Sequence, residues 1–327
     1  MDKDQIESLV DEILKEILQK NQKQTDDPGQ TFPSAVQAVE KTPVPQVQSP
    51  VNPPVLKSQT PATTSISNLS IDLPDPTTDE MRQNPGVHNP IDTEGLQALM
   101  STTTSRIGVG RAGNRLRTKT LLLFQSDLAV TQDTLYRDVD PQILAQFKLF
   151  TVHTQISEGK EEYLLRPDLG RKLNEEAKIM IQEKCVKTPN IQICVGDGLS
   201  AYAIDLNLPK IFPVLEAGCK TAGLSLGTPF FIQHCRVGVM NDIGDLIKPD
   251  VLILLIGERP GLGRAESMSA YMAYRPKNGD TDADREVICN IFDGGGTNPL
   301  EAGAYAIQMA QKMIKNQASG VKSKLVE

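Results

Sequence analysis

The 327-residue sequence predicts an α/β fold: a Rossmann-like, mostly parallel sheet flanked by helices, preceded by a helical subdomain and a disordered N-terminal extension. Two observations carry this expectation. After Pro189, short apolar runs at 191–195, 229–232, 251–256 and 287–292 are separated by helical stretches such as 209–222. Strands that are apolar throughout and alternate with helices belong to a parallel sheet covered on both faces. By contrast, 21–92 is dominated by Pro, Gln, Thr and Ser, with Pro43-Val44-Pro45 and Pro53-Pro54, and buries too little apolar surface to offset chain entropy.

At the N-terminus, Ile6, Leu9, Val10, Ile13, Leu14, Ile17 and Leu18 recur at helical spacing among charged and amide residues, one apolar stripe on a short helix at 1–20. A helix this short is marginal alone in water. Tethered by the 21–92 linker, it is expected to dock on another protein rather than fold back. From 93 to 188 the pattern is mainly helical, with apolar segments at 121–128 and 143–150 and a run to Lys184 opened by Arg166-Pro167-Asp168. The α/β domain occupies 189–327, and its last helix, at 299–318, stops at Gly320.

Ligands of open sheets sit beyond the carboxyl ends of the strands. Those ends here carry Gly196-Asp197-Gly198-Leu199-Ser200, Gln233-His234-Cys235-Arg236-Val237, Gly257-Glu258-Arg259-Pro260-Gly261-Leu262-Gly263 and Asp293-Gly294-Gly295-Gly296-Thr297.

Composition excludes several classes. A formal charge of -7 and no basic stripe argue against a nucleic-acid partner. The longest apolar run, 251–256, is far shorter than the roughly 20 residues that span a bilayer, so a soluble, intracellular protein is expected. The five cysteines are odd in number and form no C-x-x-C pair, which reads as reduced core residues.

Candidate chemistry is thin. Gly108-Val109-Gly110-Arg111-Ala112-Gly113 matches the dinucleotide fingerprint, but no βαβ unit surrounds it, and a tight cationic interface loop is the better reading. At Gly261-Leu262-Gly263-Arg264-Ala265-Glu266, Glu stands where the third glycine is needed, which rejects a nicotinamide site. Asp197, Ser200 and His234 supply the residue types of a hydrolase but lack the nucleophile elbow, and read as turn, helix cap and loop side chain. His88, His153 and His234 are isolated, and no metal ligand set is assigned. The first strand of the α/β domain is followed by Gly196-Asp197-Gly198-Leu199-Ser200, without the histidine of an Asp-x-His-x-x-Gly loop, so this loop offers no histidine ligand to a bound group.

The motifs Gly108 to Gly113 and Leu165-Arg166-Pro167-Asp168-Leu169-Gly170-Arg171 are followed in order by Asp197-Gly198-Leu199-Ser200, Gly227-Thr228-Pro229-Phe230-Phe231 and the Gly257 to Gly263 loop. Asn290-Ile291, the glycine run from Gly294 and Gln317-Ala318-Ser319-Gly320 complete a pattern that resembles the small subunit of ethanolamine ammonia-lyase over 108–320. The resemblance implies a lyase that converts ethanolamine to acetaldehyde and ammonia with adenosylcobalamin, active only with a large subunit that holds the substrate. It implies cobalamin contacts at Val237, Glu258 and Val287 and no catalytic residue on this chain. Some family members carry Cys at the position of Val287. Without the resemblance, Glu258 reads as a partner of Arg259 or Arg264 in a solvated loop. The resemblance further implies packaging in a bacterial microcompartment, with the 1–20 helix meeting a shell or cargo protein. The alternatives are a scaffold adaptor that has lost its cofactor contacts, which the retained Glu258 opposes, and a free-standing nucleotide-dependent oxidoreductase, which the Gly261 loop opposes.

Overall fold

The structure, a computed structural model, describes residues 78–103 and 105–325. The expected 1–20 helix and most of the 21–92 linker lie outside the described residues. The last part of that linker does carry a short helix, α1 (Asp79–Gln83), opened by the Thr78 hydroxyl, which accepts the Met81 N–H. It is followed by α2 (Thr93–Ser101), a two-strand hairpin of β1 (Arg111–Ala112) and β2 (Arg115–Leu116), and the long helix α3 (Thr118–Tyr136).

A six-stranded sheet forms the centre. Its strands are β3 (Phe150–His153), β4 (Ile191–Gly196), β5 (Phe230–Gln233), β6 (Val251–Gly257), β7 (Met268–Tyr274) and β8 (Glu286–Ile291), in the spatial order β3-β5-β4-β6-β7-β8. The first four in that order run parallel, and β7 and β8 are antiparallel additions at one edge. β4 and β6 are buried at every position, as expected for strands covered on both faces.

Alternate residues of the strands feed two separate cores. Ile191, Ile193, Val195, Ile253 and Leu255 pack against α7 (Ala201–Thr221), α9 (Pro299–Asn316) and the short α4 (Pro141–Gln146). Cys194, Phe230, Ile232, Leu252, Leu254 and Ile256 face the other way, against α6 (Glu175–Lys184) and α8 (Met240–Ile247). Each helix presents an apolar stripe: α7 buries Ile204, Leu208, Ile211, Phe212 and Leu215 at helical spacing.

Three expectations need revision. The segment 143–150, read as helical, divides: α4 ends at Gln146, Lys148 adopts φ +53°, and Phe150 begins β3, which pairs with β5. Backbone pairing along the sheet outweighs the local helical pattern. Pro209 does not open a helix, because α7 already starts after the Ser200 cap and carries Pro209 and Pro213 inside it. The run to Lys184 is opened by Asn174, whose side chain accepts the Ala177 N–H, while Arg166-Pro167-Asp168 forms the turn after α5 (Lys160–Leu165).

Candidate functional site

The crevice between the carboxyl ends of β4 and β5 is filled by the chain's own groups. The buried Asp197 carboxylate accepts the His234 and Cys235 N–H groups at 2.9 and 2.8 Å and meets Lys160 Nζ at 3.1 Å. Tyr163, from α5, donates its hydroxyl to the Cys235 carbonyl at 2.6 Å, and Arg236 stacks on its ring at 4.3 Å. Ser200 caps α7 and donates its hydroxyl to the Ala265 carbonyl. Asp197, Ser200 and His234 are therefore turn, cap and loop, as the sequence suggests. Burial pushes the Cys235 thiol well up, so it stays protonated and unreactive.

A more open arrangement lies beyond β6. Glu258 is half-buried, and its backbone N–H donates to Ser267 O at 3.0 Å. Its carboxylate accepts the Ser267 hydroxyl at 2.7 Å on Oε2, and the Ser269 hydroxyl and the Asn290 N–H (2.8 Å) on Oε1. Asn290 sits at φ +60°, a conformation asparagine tolerates better than most residues, and this turns its N–H toward the carboxylate.

Alternation along the strands turns Glu258, Ser269, Tyr271 and Val287 toward the α6/α8 side of the sheet. Glu258 lies two residues beyond Ile256, which faces the α6/α8 core. Ser269 pairs with Ile256, and Tyr271 pairs with Val287 and packs against the same core. Val237, at the start of a short 3-10 turn before α8, packs there too. Val287 is 45% exposed and Cys289 is also exposed. The Tyr271 hydroxyl is held above its ordinary range by burial first and then by the Asp282 and Glu258 charges, so it remains a donor. Chemically this is an anchored carboxylate beside an uncovered apolar strip.

The loop that follows Glu258 is clamped from the other side. Asp127 of α3, fully buried, pairs with Arg82 at 2.8 Å and with Arg106, whose guanidinium also reaches the Leu262 carbonyl at 3.3 Å. Thr131 donates its hydroxyl to the Gly261 carbonyl at 2.9 Å and accepts the Gly263 N–H at 3.1 Å. The 108–113 motif leads into the basic β1–β2 hairpin and supplies its first strand, with Gly113 at φ +63° in the tip.

A family profile described as "Ethanolamine ammonia-lyase light chain (EutC)" matches residues 93–324. The chain belongs to the ethanolamine ammonia-lyase light-chain family. The small subunit of ethanolamine ammonia-lyase from Clostridium perfringens is 43% identical over 249 residues, which is 76% of this chain and 84% of that one. The small subunit from Listeria monocytogenes is 41% identical over the same length and shares. A light chain in a family of lyases implies a large partner subunit.

Two sizeable clefts border the loop that follows Glu258 in this light chain, without being lined by Val237, Glu258 or Val287. One, of about 810 Å³, is lined by Met81, Arg106, Lys119, Phe124 and Leu262; the other, of about 550 Å³, by Arg137, Tyr202, Lys210 and Asp293. Neither includes a sequence-predicted contact. The face around Glu258 is a better candidate despite its openness, because a surface completed by a second subunit need not be concave in one chain alone. Sequence reasoning missed Ser267, Ser269 and Tyr271, and singled out Asn290 only within a motif, without its bond to Glu258. The signal available was Ser267-Met268-Ser269 itself, with serines two apart and so on one side of a strand.

Proposed function

We propose that this chain is the cofactor-holding subunit of an adenosylcobalamin-dependent ethanolamine ammonia-lyase, active only with its large subunit, for conversion of ethanolamine to acetaldehyde and ammonia. The observation that carries the reading is Glu258: a carboxylate fixed by three donors, two of them at the start of the strand on which Tyr271 pairs with exposed Val287, with Val237 packed on the same side of the sheet. This donor-and-acceptor set fits a broad, flat ring fringed with amides. Apolar Val237 and Val287 would lie against the ring system, and Glu258 would accept from its amide groups.

When bound, the cofactor supplies homolysis of its cobalt–carbon bond, which starts the radical rearrangement. This chain's residues hold, orient and desolvate. The Glu258 carboxylate is taken up by three donors of this chain, which suits a holding role, and in this reading the substrate chemistry falls to the large subunit. Leu121, Leu122 and Leu128, exposed on α3, are apolar surface that such a subunit would cover. Leu121 and Leu122 fall within, and Leu128 just beyond, 105–126, a stretch with Arg106, Arg111, Arg115, Arg117 and Lys119 and no acidic residue.

Helices on both faces of the parallel strands support a Rossmann-like reading. The stripe of Ile6, Leu9, Ile13 and Ile17 supports docking of 1–20 on a shell or cargo protein of a bacterial microcompartment. The experiment is ammonia release from ethanolamine with adenosylcobalamin, using this chain, the large subunit and their mixture. Activity in the mixture alone is expected. Activity of the large subunit by itself, or none in a folded mixture, refutes the reading.

A further inference from the structure

Resting on the cofactor reading above, we infer that Glu258 selects for an amide at one edge of the corrin, that Ser267 and Ser269 are the positioning residues that create this selectivity, and that a carboxylate in that amide's place is rejected.

The argument is a count of acceptor sites. An ionised carboxylate offers about four lone-pair positions, two on each oxygen, and no donor. On Glu258, Oε1 takes the Ser269 hydroxyl and the Asn290 N–H, and Oε2 takes the Ser267 hydroxyl. One position remains, on Oε2. Ser269 is 2% exposed and its strand is paired on both sides, so the carboxylate cannot swing to present more. A primary amide brings an N–H to that position and is bound. A carboxylate brings only lone pairs and a like charge, which costs several kcal/mol at an interface, or about a hundredfold and more in affinity. Sites built around a fixed hydrogen-bonding group discriminate more sharply than apolar pockets do.

The test uses the assembled two-subunit protein and equilibrium binding read by cobalamin absorbance. The probes are adenosylcobalamin and its set of monocarboxylic acids, in each of which one corrin side-chain amide is hydrolysed. One acid is expected to bind about a hundredfold more weakly than the parent, while the others stay near it. Glu258→Gln, which can both donate and accept, should bring that ratio to within about threefold of one. Ser269→Ala, which frees the carboxylate to turn, should also shrink the ratio, and Ser269→Thr should restore it. A merely structural loss would weaken the parent and the acids alike and leave the ratio unchanged. If every acid binds the native complex within about twofold of the parent, or Glu258→Gln leaves the ratio intact, the inference is overturned. Failure of adenosylcobalamin itself to bind instead refutes the cofactor reading, and this inference with it.

Discussion

Asp127 and Gly263 touch so closely that a Cβ on residue 263 would stand 2.5 Å from the Asp127 carboxylate. Gly263 also sits at φ +68°, where L side chains are strained. The two residues belong to segments more than a hundred positions apart, so this contact joins α3 to the loop that leaves Glu258. Gly263→Ala is expected to cost about 2 kcal/mol or more through backbone strain and displacement of a buried carboxylate. Asp127→Ala, which removes the buried carboxylate shared by Arg82 and Arg106, should cost about 3 kcal/mol, the guanidiniums being partly exposed. Urea titration of the isolated chain measures both, and a loss under about 0.5 kcal/mol for either would show that the contact does not clamp the loop.

Val287 separates stability from binding. At 45% exposure it contributes little to the core, so Val287→Asp should leave unfolding within about 0.5 kcal/mol of the parent chain. It places a charge on the proposed corrin surface, and cobalamin affinity of the assembled protein should fall at least about tenfold. Unchanged affinity in an absorbance titration would exclude Val287 from the site.

His234 gives stability a pH dependence. Its imidazole is held below its ordinary value of 6.5 mainly by burial, with Asp197, Lys160, Asp138 and His153 around it. The unfolded chain therefore binds this proton more readily than the folded one. Its contribution is intact above pH 6.5 and erodes as pH falls through that value. His234→Asn removes the titration and suits the residue's φ of +58°. The stability of the variant should fall less steeply between pH 7 and 5, as read from chemical denaturation at each pH; parallel curves would exclude His234 as the source.

Leu122 tests the partner surface. Leu122→Asp, at a side chain 55% exposed, should leave the isolated chain folded and weaken its association with the large subunit at least about tenfold in analytical ultracentrifugation. Full association would place the interface elsewhere.

How much was legible depended on whether a segment's pattern matched its role. β4 and β6 are apolar at nearly every position and were readable as doubly buried strands. β7 was not, since Met268-Ser269-Ala270-Tyr271-Met272-Ala273-Tyr274 contains no β-branched residue and is a strand because β6 and β8 pair with it on either side. That omission hid the surroundings of Glu258, whose hydroxyl donors both come from β7 or the residue before it. Glu258 itself stood out through the resemblance, which carried a residue but not its hydrogen bonds. Ser200 was readable as a cap because capping depends on its immediate neighbours. Asp127 was not, because its partners Arg82 and Arg106 come from separate segments brought together only by folding.

The placing of β3 at the sheet edge, paired only with β5, has a cost during synthesis. Phe150 and Val152 leave the ribosome well before Phe230 does, with roughly 80 residues still to be made at about 5–20 residues per second, a wait on the order of 4–16 s. Throughout that interval the strand has no strand to pair with, only α6 to pack against, and its unpaired edge is open to other nascent chains. Slower translation between the two strands lengthens the exposure, so soluble yield should follow the speed of decoding in that stretch as well as the stability of the finished fold.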